Sequence, residues 1–345
     1  MITDTLRPPP LFDPSAAAYK DWLHLNVFDH PSGCVGIFNT SLHGSPNDVR
    51  SRAIGTALVH EPGVGWIGNV EVAGIGEVSV GTTSIGLERV AVATDPSPGI
   101  VLASARLPAD GLEAGITATV SARPVDVPMP FPFGPGWISW YIVPRLSVEG
   151  GLVLRARRLD LSGATAYHDH NYGRWHWGDE VGWEWGACAA ADAAVTLVVV
   201  GPGHPSVRAR NGSRSTVQAQ GHAIGTMLLA DVAGERRSFS SGLVHTDYRG
   251  RLTQPLRRLP GALAALHQDR IAPPLPDRIL VRASDGVDCV EIEFRPRAAA
   301  QIIAADPARR GYGFIHEMVG RFEAVCRIAG RTARVDGLAV FEYVD

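Results

Sequence analysis

The chain has 345 residues, of which 45% are hydrophobic and 19% are charged. This composition is typical of a soluble globular protein, and the length suits two domains better than one. The formal net charge of -3, together with the lack of basic runs among aromatic residues, argues against a nucleic-acid partner.

The N-terminal residues and the cysteines indicate location and metal chemistry. Residues 1–15 lack the basic start and apolar run of a signal peptide, and no apolar stretch in the sequence reaches the length of a membrane span. We therefore expect a cytoplasmic protein without stable membrane insertion, with peripheral membrane contact and oligomeric state left open. Free thiols are expected for the four cysteines, which show no metal-ligand spacing: Cys34, Cys188, Cys289 and Cys326.

Short apolar or alternating runs, separated by turn residues, follow one another along the chain. In chain order they cover 33–42, 51–60, 115–123, 136–148, 151–161, 194–203, 222–232, 278–296 and 322–344. Many short strands at such spacing predict an all-β fold made of barrels or sandwiches. Helical periodicity is sparse, and residues 314–325 are predicted to form a strand rather than a helix.

The sequence after Trp22 is faintly repeated after Trp185. Each tryptophan begins an apolar strand, and each strand is followed by an aspartate and a second apolar strand. We interpret this as two similar all-β units in tandem, with domains at 1–180 and 181–345. Two β-rich segments can also resemble each other by chance, because the β pattern is simple.

Residues 167–186 combine aromatic side chains with groups that handle protons, and include half of the chain's eight tryptophans. Neighbouring side chains of a strand point to opposite faces. We therefore predict two triplets on opposite faces of one strand: Tyr167, Asp169 and Asn171, and His168, His170 and Tyr172. Because this segment joins the two predicted domains, a ligand pocket is expected near the domain junction.

Three interpretations of this segment compete. His168 and His170 could bind a metal, but no further residue stands at ligand spacing, so no metal is predicted. Asp169 in apolar surroundings would have a raised pKa and could hold a proton, while Tyr167 and the tryptophans would line the pocket and face a developing cation. Alternatively, these side chains only satisfy one another structurally, which composition alone favours.

The segment "AYHDHNYGRW…W…WEWG" at 166–186 resembles the hallmark of one lipocalin-like superfamily. That superfamily contains carotenoid 1,2-hydratase (hydroxyneurosporene synthase), tocopherol cyclases and related natural-product cyclases, including fungal decalin-forming Diels–Alderases. The resemblance extends over most of the chain through "YKDWLHLNVFDHPSGCVGIFN" at 19–39, "WISWYIVPRLSVEGGLVL" at 137–154 and "GYGFIHEMVG" at 311–320.

This resemblance implies two tandem lipocalin-like β-barrel domains that bind hydrophobic polyenes or isoprenoids without a cofactor. In the hydratases a Tyr-x-Asp pair is part of the proposed acid site, and Tyr167 and Asp169 occupy it here. The hydratases also have an upstream His-x-Trp pair, of which this chain has Trp140 but has Ile138 in place of the histidine. That departure argues against carotenoid hydration itself and favours another terpenoid or polyketide-type substrate.

The leading hypothesis is a cofactor-independent cyclase or hydratase of secondary metabolism that protonates a double bond of a hydrophobic polyene, isoprenoid or polyketide-type alkene. Asp169 would be the general acid, held by Tyr167, His168 or Asn171. One alternative is a pericyclase of the Diels–Alderase type, which folds a polyene and hydrogen-bonds an activating carbonyl. Another is a carrier of a lipid or pigment without catalysis.

Residues outside the acid pair are predicted to bind substrate. They are aromatic, polar or charged and lie in or near the segments just described: Trp140, Asn171, Arg174, Trp177, Trp183, Trp185 and Glu317. A carboxylate on an apolar strand needs a partner, so Glu317 is expected either to pair with an arginine or to project into a pocket. His24 shares a strand face with Trp22, and a purely structural role is expected for it.

Overall fold

A computed structural model describes residues 4–10, 13–97, 99–127, 130–133, 135–177, 181–190, 193–202, 225–232, 234–261, 275–306 and 311–344. The chain divides into two compact units. The N-terminal unit comprises Met1–His176 with Asp306–Gly311, and the C-terminal unit comprises Trp177–Ala305 with Tyr312–Asp345. The domain limit predicted at 180 and 181 borders residues outside the described ranges and stays a prediction.

The N-terminal unit is built from strands and three short 3₁₀ helices. The helices are Ala16–Ala18, Ile75–Glu77 and Pro108–Asp110. The strands are β1 (Tyr19–Asp29), β2 (Cys34–His43), β3 (Arg52–Glu61), β4 (Gly65–Gly74), β5 (Ser79–Val80), β6 (Ser84–Gly86), β7 (Val90–Asp95), β8 (Ile100–Leu107), β9 (Leu112–Val120), β10 (Val125–Asp126), β11 (Phe131–Phe133), β12 (Gly136–Leu154), β13 (Arg157–Asp160) and β14 (Thr165–Arg174).

The described part of the C-terminal unit is likewise made of strands. They are β15 (Val181–Ala189), β16 (Ala193–Pro202), β17 (Gly225–Val232), β18 (Glu235–Ser240), β19 (Val244–Arg249), β20 (Arg257–Leu259), β21 (Arg278–Ser284), β22 (Cys289–Asp306), β23 (Gly311–Ile328) and β24 (Arg331–Val344). The all-β prediction is therefore confirmed, and so is the strand prediction for residues 314–325.

Each unit is formed by one sheet in which the first long strand pairs with the last. The N-terminal order is β4-β3-β2-β1-β14-β12-β9-β8-β7-β6-β5, and β7 also packs across β1, β2 and β3, so this sheet curls over its own core. The C-terminal order is β18-β17-β16-β15-β24-β23-β22-β21-β19. In both orders a four-strand run precedes the closing strand, so β1 corresponds to β15 and β14 to β24.

The pairing registers allow this correspondence to be followed residue by residue. Trp22 of β1 lies opposite Asn171 of β14, and Trp185 of β15 lies opposite Glu342 of β24. The faint sequence repeat that aligned Trp22 with Trp185 therefore corresponds to equivalent strand pairs in the two units. With these tryptophans as reference, positions in one unit can be compared with positions in the other.

One face of each closing strand pair is turned toward a hydrophobic core. In the N-terminal unit, Leu23 and Leu25 of β1 belong to a cluster with residues of β2 to β9. In the C-terminal unit, Met318 and Phe341 belong to the corresponding cluster. The other face of these strands, which we call the outer face, is also largely buried, and the predicted acid lies on it.

Candidate functional site

Strand β14 places the two predicted triplets on opposite faces, as alternation requires. Tyr167, Asp169 and Asn171 lie on the outer face, where all three are buried. The Tyr167 hydroxyl is 2.8 Å from Oδ2 of Asp169, and Nδ2 of Asn171 donates to Oδ1 of Asp169 at 3.1 Å. The Asp169 carboxyl group, only 2% exposed, is therefore fixed by hydrogen bonds from both sides along its own strand.

Strand β1 adds a second polar row beside this carboxyl group. His24 lies directly opposite Asp169, and Asn26 lies directly opposite Tyr167. Nε2 of His24 is 2.9 Å from Oδ1 of Asn26, and Nδ2 of Asn39 is 3.3 Å from Nδ1 of His24. Because Nδ1 accepts from Asn39, Nε2 has the hydrogen and donates it to Asn26.

The protonation state of His24 agrees with this network. Burial lowers the pKa of His24 to about 4, and the charge of His168 acts in the same direction while the hydrogen bond to Asn26 opposes it. The imidazole is therefore neutral at physiological pH, as a side chain that both accepts and donates must be. Sequence reasoning had expected only a structural role for His24, and its i, i+2 spacing to Asn26 was the available signal.

Aromatic side chains surround the polar rows. Trp140 lies opposite Asn171 on β12 and meets Phe131 edge to face at 5.8 Å. Trp22 lies opposite Asn171 on β1 and meets Trp175 at 6.0 Å, also edge to face. The predicted substrate-binding residues Trp140 and Asn171 are thus brought to Asp169, and indole rings on both sides can face a cation formed there.

The chain's one lysine, Lys20, is buried beside Trp175, one of the aromatic residues just described. Nζ of Lys20 donates to the carbonyl oxygen of Trp175 at 3.0 Å and lies 5.9 Å from the centre of a Trp175 ring. Burial, together with the charge of Lys20, lowers the pKa of nearby His43 well below its usual value. The outer face therefore has a fixed cation at one end, which no sequence motif had indicated.

The opposite face of β14 has a different polar cluster, set within the hydrophobic core. Nε2 of His168 lies 2.8 Å from Oδ2 of Asp4, and its Nδ1 lies 2.8 Å from the carbonyl oxygen of His24. His170 contacts Asp4 through Nδ1 at 2.8 Å and Asp21 through Nε2 at 2.6 Å. Two histidines and two aspartates therefore tie the N-terminal segment into the core of this unit.

Opposite charges dominate this cluster. Burial alone would lower the pKa of His170, but the charge of Asp21 and hydrogen bonds to Asp21 and Asp4 raise that pKa to about 10. Burial alone would raise the pKa of Asp4, but the charge of His168 and hydrogen bonds to both histidines hold it well below its usual value. Asp4 and Asp21 are sequence-distant partners that strand patterns could not have identified.

Two predicted site residues are held away from Asp169. His168 has its side chain on the core face, so the acid is held by Tyr167 and Asn171 and not by His168. Arg174 also follows the core-face alternation, ends β14 and pairs with Asp13. The catalytic role predicted for His168 and the substrate contact predicted for Arg174 have no support from these contacts.

The remaining predicted residues form a group of their own in the C-terminal unit. Glu317 and Glu342 lie opposite each other on β23 and β24, and Trp185 lies opposite Glu342 on β15. Nε1 of Trp183 donates to Oε1 of Glu342 at 2.5 Å, and Trp177 lies 6.0 Å from Trp183. Glu317 therefore has a buried carboxyl neighbour, Glu342, to which it is hydrogen-bonded. The arginine partner considered from the sequence stays a prediction.

This second group can hold a proton. Burial raises the pKa of Glu342 to about 7, and hydrogen bonds from Trp183 and Glu317 oppose the rise. Two carboxyl groups in contact ionise together only at a high electrostatic cost, so they retain one proton between them. Glu342 was not singled out from the sequence, where it stands in an ordinary alternating strand.

The described residues give further limits. No helix in the described ranges is long and apolar enough to cross a membrane. Among the same residues, no group of three or more His, Cys, Asp or Glu side chains is arranged to hold a metal ion. All four cysteines are free thiols, as predicted. Asp179 and Glu180, the two acidic residues that follow Gly178 in the sequence, lie outside the described residues.

The two units differ at equivalent positions of the outer face. Counting from Trp22 and Trp185, the registers match four polar residues of the N-terminal unit with four apolar residues of the C-terminal unit. The matched pairs are His24 with Ala187, Asn26 with Ala189, Tyr167 with Leu338, and Asp169 with Val340. The fold therefore does not itself require polar side chains at these four positions.

No protein-family model and no curated protein matches the sequence. Solved structures do match over nearly the whole chain. A protein assigned as AttH from Nitrosomonas europaea shares 14% identity at a TM-score of 0.64, with 98% of each chain covered. Kievitone hydratase from Nectria haematococca shares 11% identity at a TM-score of 0.63, covering 99% of this chain and 93% of that one.

CghA, in a crystal structure with Sch210972, shares 12% identity at a TM-score of 0.57, covering 96% of this chain and 89% of that one. At these identities the likeness shows the fold. The predicted architecture of tandem lipocalin-like units is thereby confirmed.

Proposed function

We propose that this protein is a cofactor-independent hydratase or cyclase that protonates a double bond of a hydrophobic polyene, isoprenoid or polyketide-type alkene. Asp169 is the general acid, and Tyr167 and Asn171 orient it. The observation behind this proposal is the buried carboxyl group of Asp169, held at 2.8 Å by Tyr167 at two positions whose equivalents in the C-terminal unit, Val340 and Leu338, are apolar.

The contrast between the units separates function from folding. A buried polar group costs free energy unless it is paired, and a paired one often does no better than an apolar residue of similar volume. The equivalent strand pair of the C-terminal unit, β15 and β24, forms with the apolar residues Val340 and Leu338 at the positions of Asp169 and Tyr167. The presence of Asp169 and Tyr167 at these positions is therefore better explained by a catalytic role than by a contribution to stability.

The proposed reaction begins with the carboxyl proton of Asp169. The alkene π electrons form a C–H bond to that proton, which leaves a carboxylate on Asp169 and a carbocation on the adjacent carbon. The indole faces of Trp22 and Trp140 stabilise the cation. Water or a hydroxyl group of the substrate then forms the C–O bond, and its proton returns to the Asp169 carboxylate, which completes the cycle.

Asn171 can also hold the nucleophile. Its Nδ2 is used on Asp169, while its Oδ1 is buried and has no hydrogen-bond partner among the described residues. A carbonyl oxygen in that position accepts a hydrogen bond from water or an alcohol. The acceptor and the acid are thus neighbours on one strand face, as addition across a double bond requires.

The structural neighbours support this class of reaction. One of them is named a hydratase, acting on kievitone, and another was crystallised with Sch210972. By analogy, we place this chain among enzymes that act on hydrophobic natural products, and we assign the predicted cyclase or hydratase activity to secondary metabolism. Fold analogy is a weaker reason than the site geometry, because one fold supports many functions.

A pericyclic cyclisation is the second candidate, favoured by the neutral groups on the same face. Nδ2 of Asn26, which has no hydrogen-bond partner among the described residues, can donate to a substrate carbonyl without transferring a proton, while His24 holds this amide in place. In that reaction Asp169 would transfer no proton. The two candidates differ in whether hydrogen from solvent enters the product.

The test is incubation of the purified protein with hydrophobic polyenes in D2O, followed by mass spectrometry of the products. Protonation adds one deuterium at carbon, whereas a pericyclic reaction adds none. Asp169→Asn should abolish the labelled product, while Asp95→Asn, which changes an exposed aspartate of the same unit, should not. An unlabelled cyclised product would favour the pericyclase, and binding without any product would favour the carrier.

A further inference from the structure

Asn26 has a buried amide hydrogen-bond donor that the proposed acid chemistry does not use. Its side chain is 0% exposed, and its Nδ2 has no hydrogen-bond partner among the described residues. Leaving a buried donor unpaired costs about 1–3 kcal/mol. Such a group in a folded protein needs a specific explanation.

The orientation of this amide is set by its neighbours. Oδ1 of Asn26 accepts from Nε2 of His24 at 2.9 Å, and Asn39 holds the other ring nitrogen of His24 at 3.3 Å. A flipped amide would place two donors, Nε2 of His24 and Nδ2 of Asn26, against each other. The His24–Asn39 pair therefore keeps Nδ2 of Asn26 directed away from His24.

The amide donor of Asn26 lies close to the proposed acid, Asp169. Asn26 lies directly opposite Tyr167 in the β1–β14 register, and Tyr167 contacts Asp169 at 2.8 Å. Residues directly opposite on antiparallel strands have Cβ atoms about 4.5–5.5 Å apart. The equivalent residue of the C-terminal unit is Ala189, so the strand pair itself does not call for an amide here.

We propose that Nδ2 of Asn26 donates a hydrogen bond to a carbonyl oxygen of the substrate. The substrate class is then a hydrophobic alkene with a ketone, aldehyde or ester carbonyl close to the double bond that reacts at Asp169. His24 is a positioning residue that fixes the amide. A hydrogen bond to the carbonyl oxygen holds the double bond beside Asp169 and selects carbonyl compounds over hydrocarbons. This inference rests on the proposed function, because it places substrate at Asp169.

The test uses β-ionone, a conjugated isoprenoid ketone, and the hydrocarbon in which a methylene group replaces the ketone oxygen. Affinity is measured by quenching of tryptophan fluorescence, and the absorption band of bound β-ionone reports whether its carbonyl accepts a hydrogen bond. The wild type should bind the ketone about tenfold more tightly than the hydrocarbon, the value of one good hydrogen bond, and should shift the band to the red.

Asn26→Leu should bind both probes equally and lose the red shift. Asn26→Asp is the second variant, for the case that the leucine variant folds poorly. It keeps the oxygen that accepts from His24 but replaces the N–H donor, so it should also lose the ketone preference and the red shift. Asn69→Leu, an asparagine outside the polar rows of the same unit, should keep both the preference and the shift.

The outcomes separate this inference from the proposed function. Asp169→Asn should keep the ketone preference while losing turnover, because Asn26 is intact. A ketone preference that persists in both Asn26 variants would overturn the inference and leave the acid mechanism standing. A wild type that fails to bind β-ionone, or binds it no better than the hydrocarbon, would overturn it as well.

Discussion

The two units show one strand arrangement used with two kinds of side chain. In both, the first long strand lies between a hairpin partner and the closing strand, and a tryptophan marks the same register position. On the outer face of the N-terminal unit the central positions are His24, Asn26, Tyr167 and Asp169, whereas the C-terminal unit has alanine, leucine and valine there. The strand register therefore determines which positions lie next to each other, and the residue types at those positions determine whether they can form a reactive site.

The core faces differ in the same way. His170 in the N-terminal unit corresponds to Phe341 in the C-terminal unit, because each lies one residue before the reference partner of its tryptophan. Phe341 packs in the core against Phe294, with ring centres 6.2 Å apart. His170 contacts two carboxylates instead, so this unit has an ionic centre where its counterpart has aromatic packing.

The largest expected effect comes from giving His170 the residue of its counterpart. His170→Phe leaves the buried carboxylates of Asp4 and Asp21 without their shared cation. Removing one partner of a buried ion pair costs about 3–5 kcal/mol, so the free energy of unfolding in urea should fall by that order. The equivalent position of the C-terminal unit provides the control. Phe341→Leu removes only part of an apolar side chain, so it should lower the free energy of unfolding by less than His170→Phe does.

The pH dependence of that loss has a definite sign. The pKa of His170 is raised in the folded protein, so its contribution is complete below about 6.5 and is lost as pH rises toward about 10. The difference in stability between wild type and His170→Phe should therefore shrink between these pH values. A difference that stays constant across that range would show that packing, and not charge, explains the loss.

The next effect concerns turnover. The double change Tyr167→Leu and Asp169→Val gives the N-terminal unit the apolar pair of the C-terminal unit. Turnover of a substrate found by the deuterium screen should fall about a hundredfold or more, the scale expected for loss of a general acid. Thermal melts should show a folded protein, because the equivalent strand pair of the C-terminal unit forms with leucine and valine at these positions.

Sequence patterns predicted the parts of this molecule that depend on local periodicity. Alternation along β14 was enough to place Tyr167, Asp169 and Asn171 on one face. The partners that come from distant segments were not predictable, since the position of Asp4 beside His168 depends on where the N-terminal segment packs. Glu342 was missed for the same reason, because only the β23–β24 register shows that it lies opposite Glu317.

A smaller effect is expected at the acidic pair of the C-terminal unit. The pKa of Glu342 is raised from 4.5 to about 7, so the folded state holds a proton that the unfolded chain releases, and stability falls as pH rises through this interval. Glu342→Gln removes the titration and should flatten the decline, with a difference of roughly 2 kcal/mol between pH 5 and pH 8. Urea unfolding at the two pH values measures it, and Glu323→Gln on the exposed side of β23 is the control. Equal declines in wild type and Glu342→Gln would exclude a shared proton.

The smallest effect is expected for Tyr167→Phe, which tests whether the hydroxyl group or the ring of Tyr167 distinguishes it from Leu338. The phenylalanine ring keeps the aromatic volume beside Asp169, and only the hydrogen bond of 2.8 Å is lost. One hydrogen bond to a carboxyl group is worth about 1–1.5 kcal/mol, so turnover should fall roughly tenfold, far less than in the Asp169 variants. The residual activity should still introduce solvent deuterium, because the acid remains in place. Activity as low as that of Asp169→Asn would instead make the Tyr167 hydroxyl the group that delivers the proton, with Asp169 as its partner.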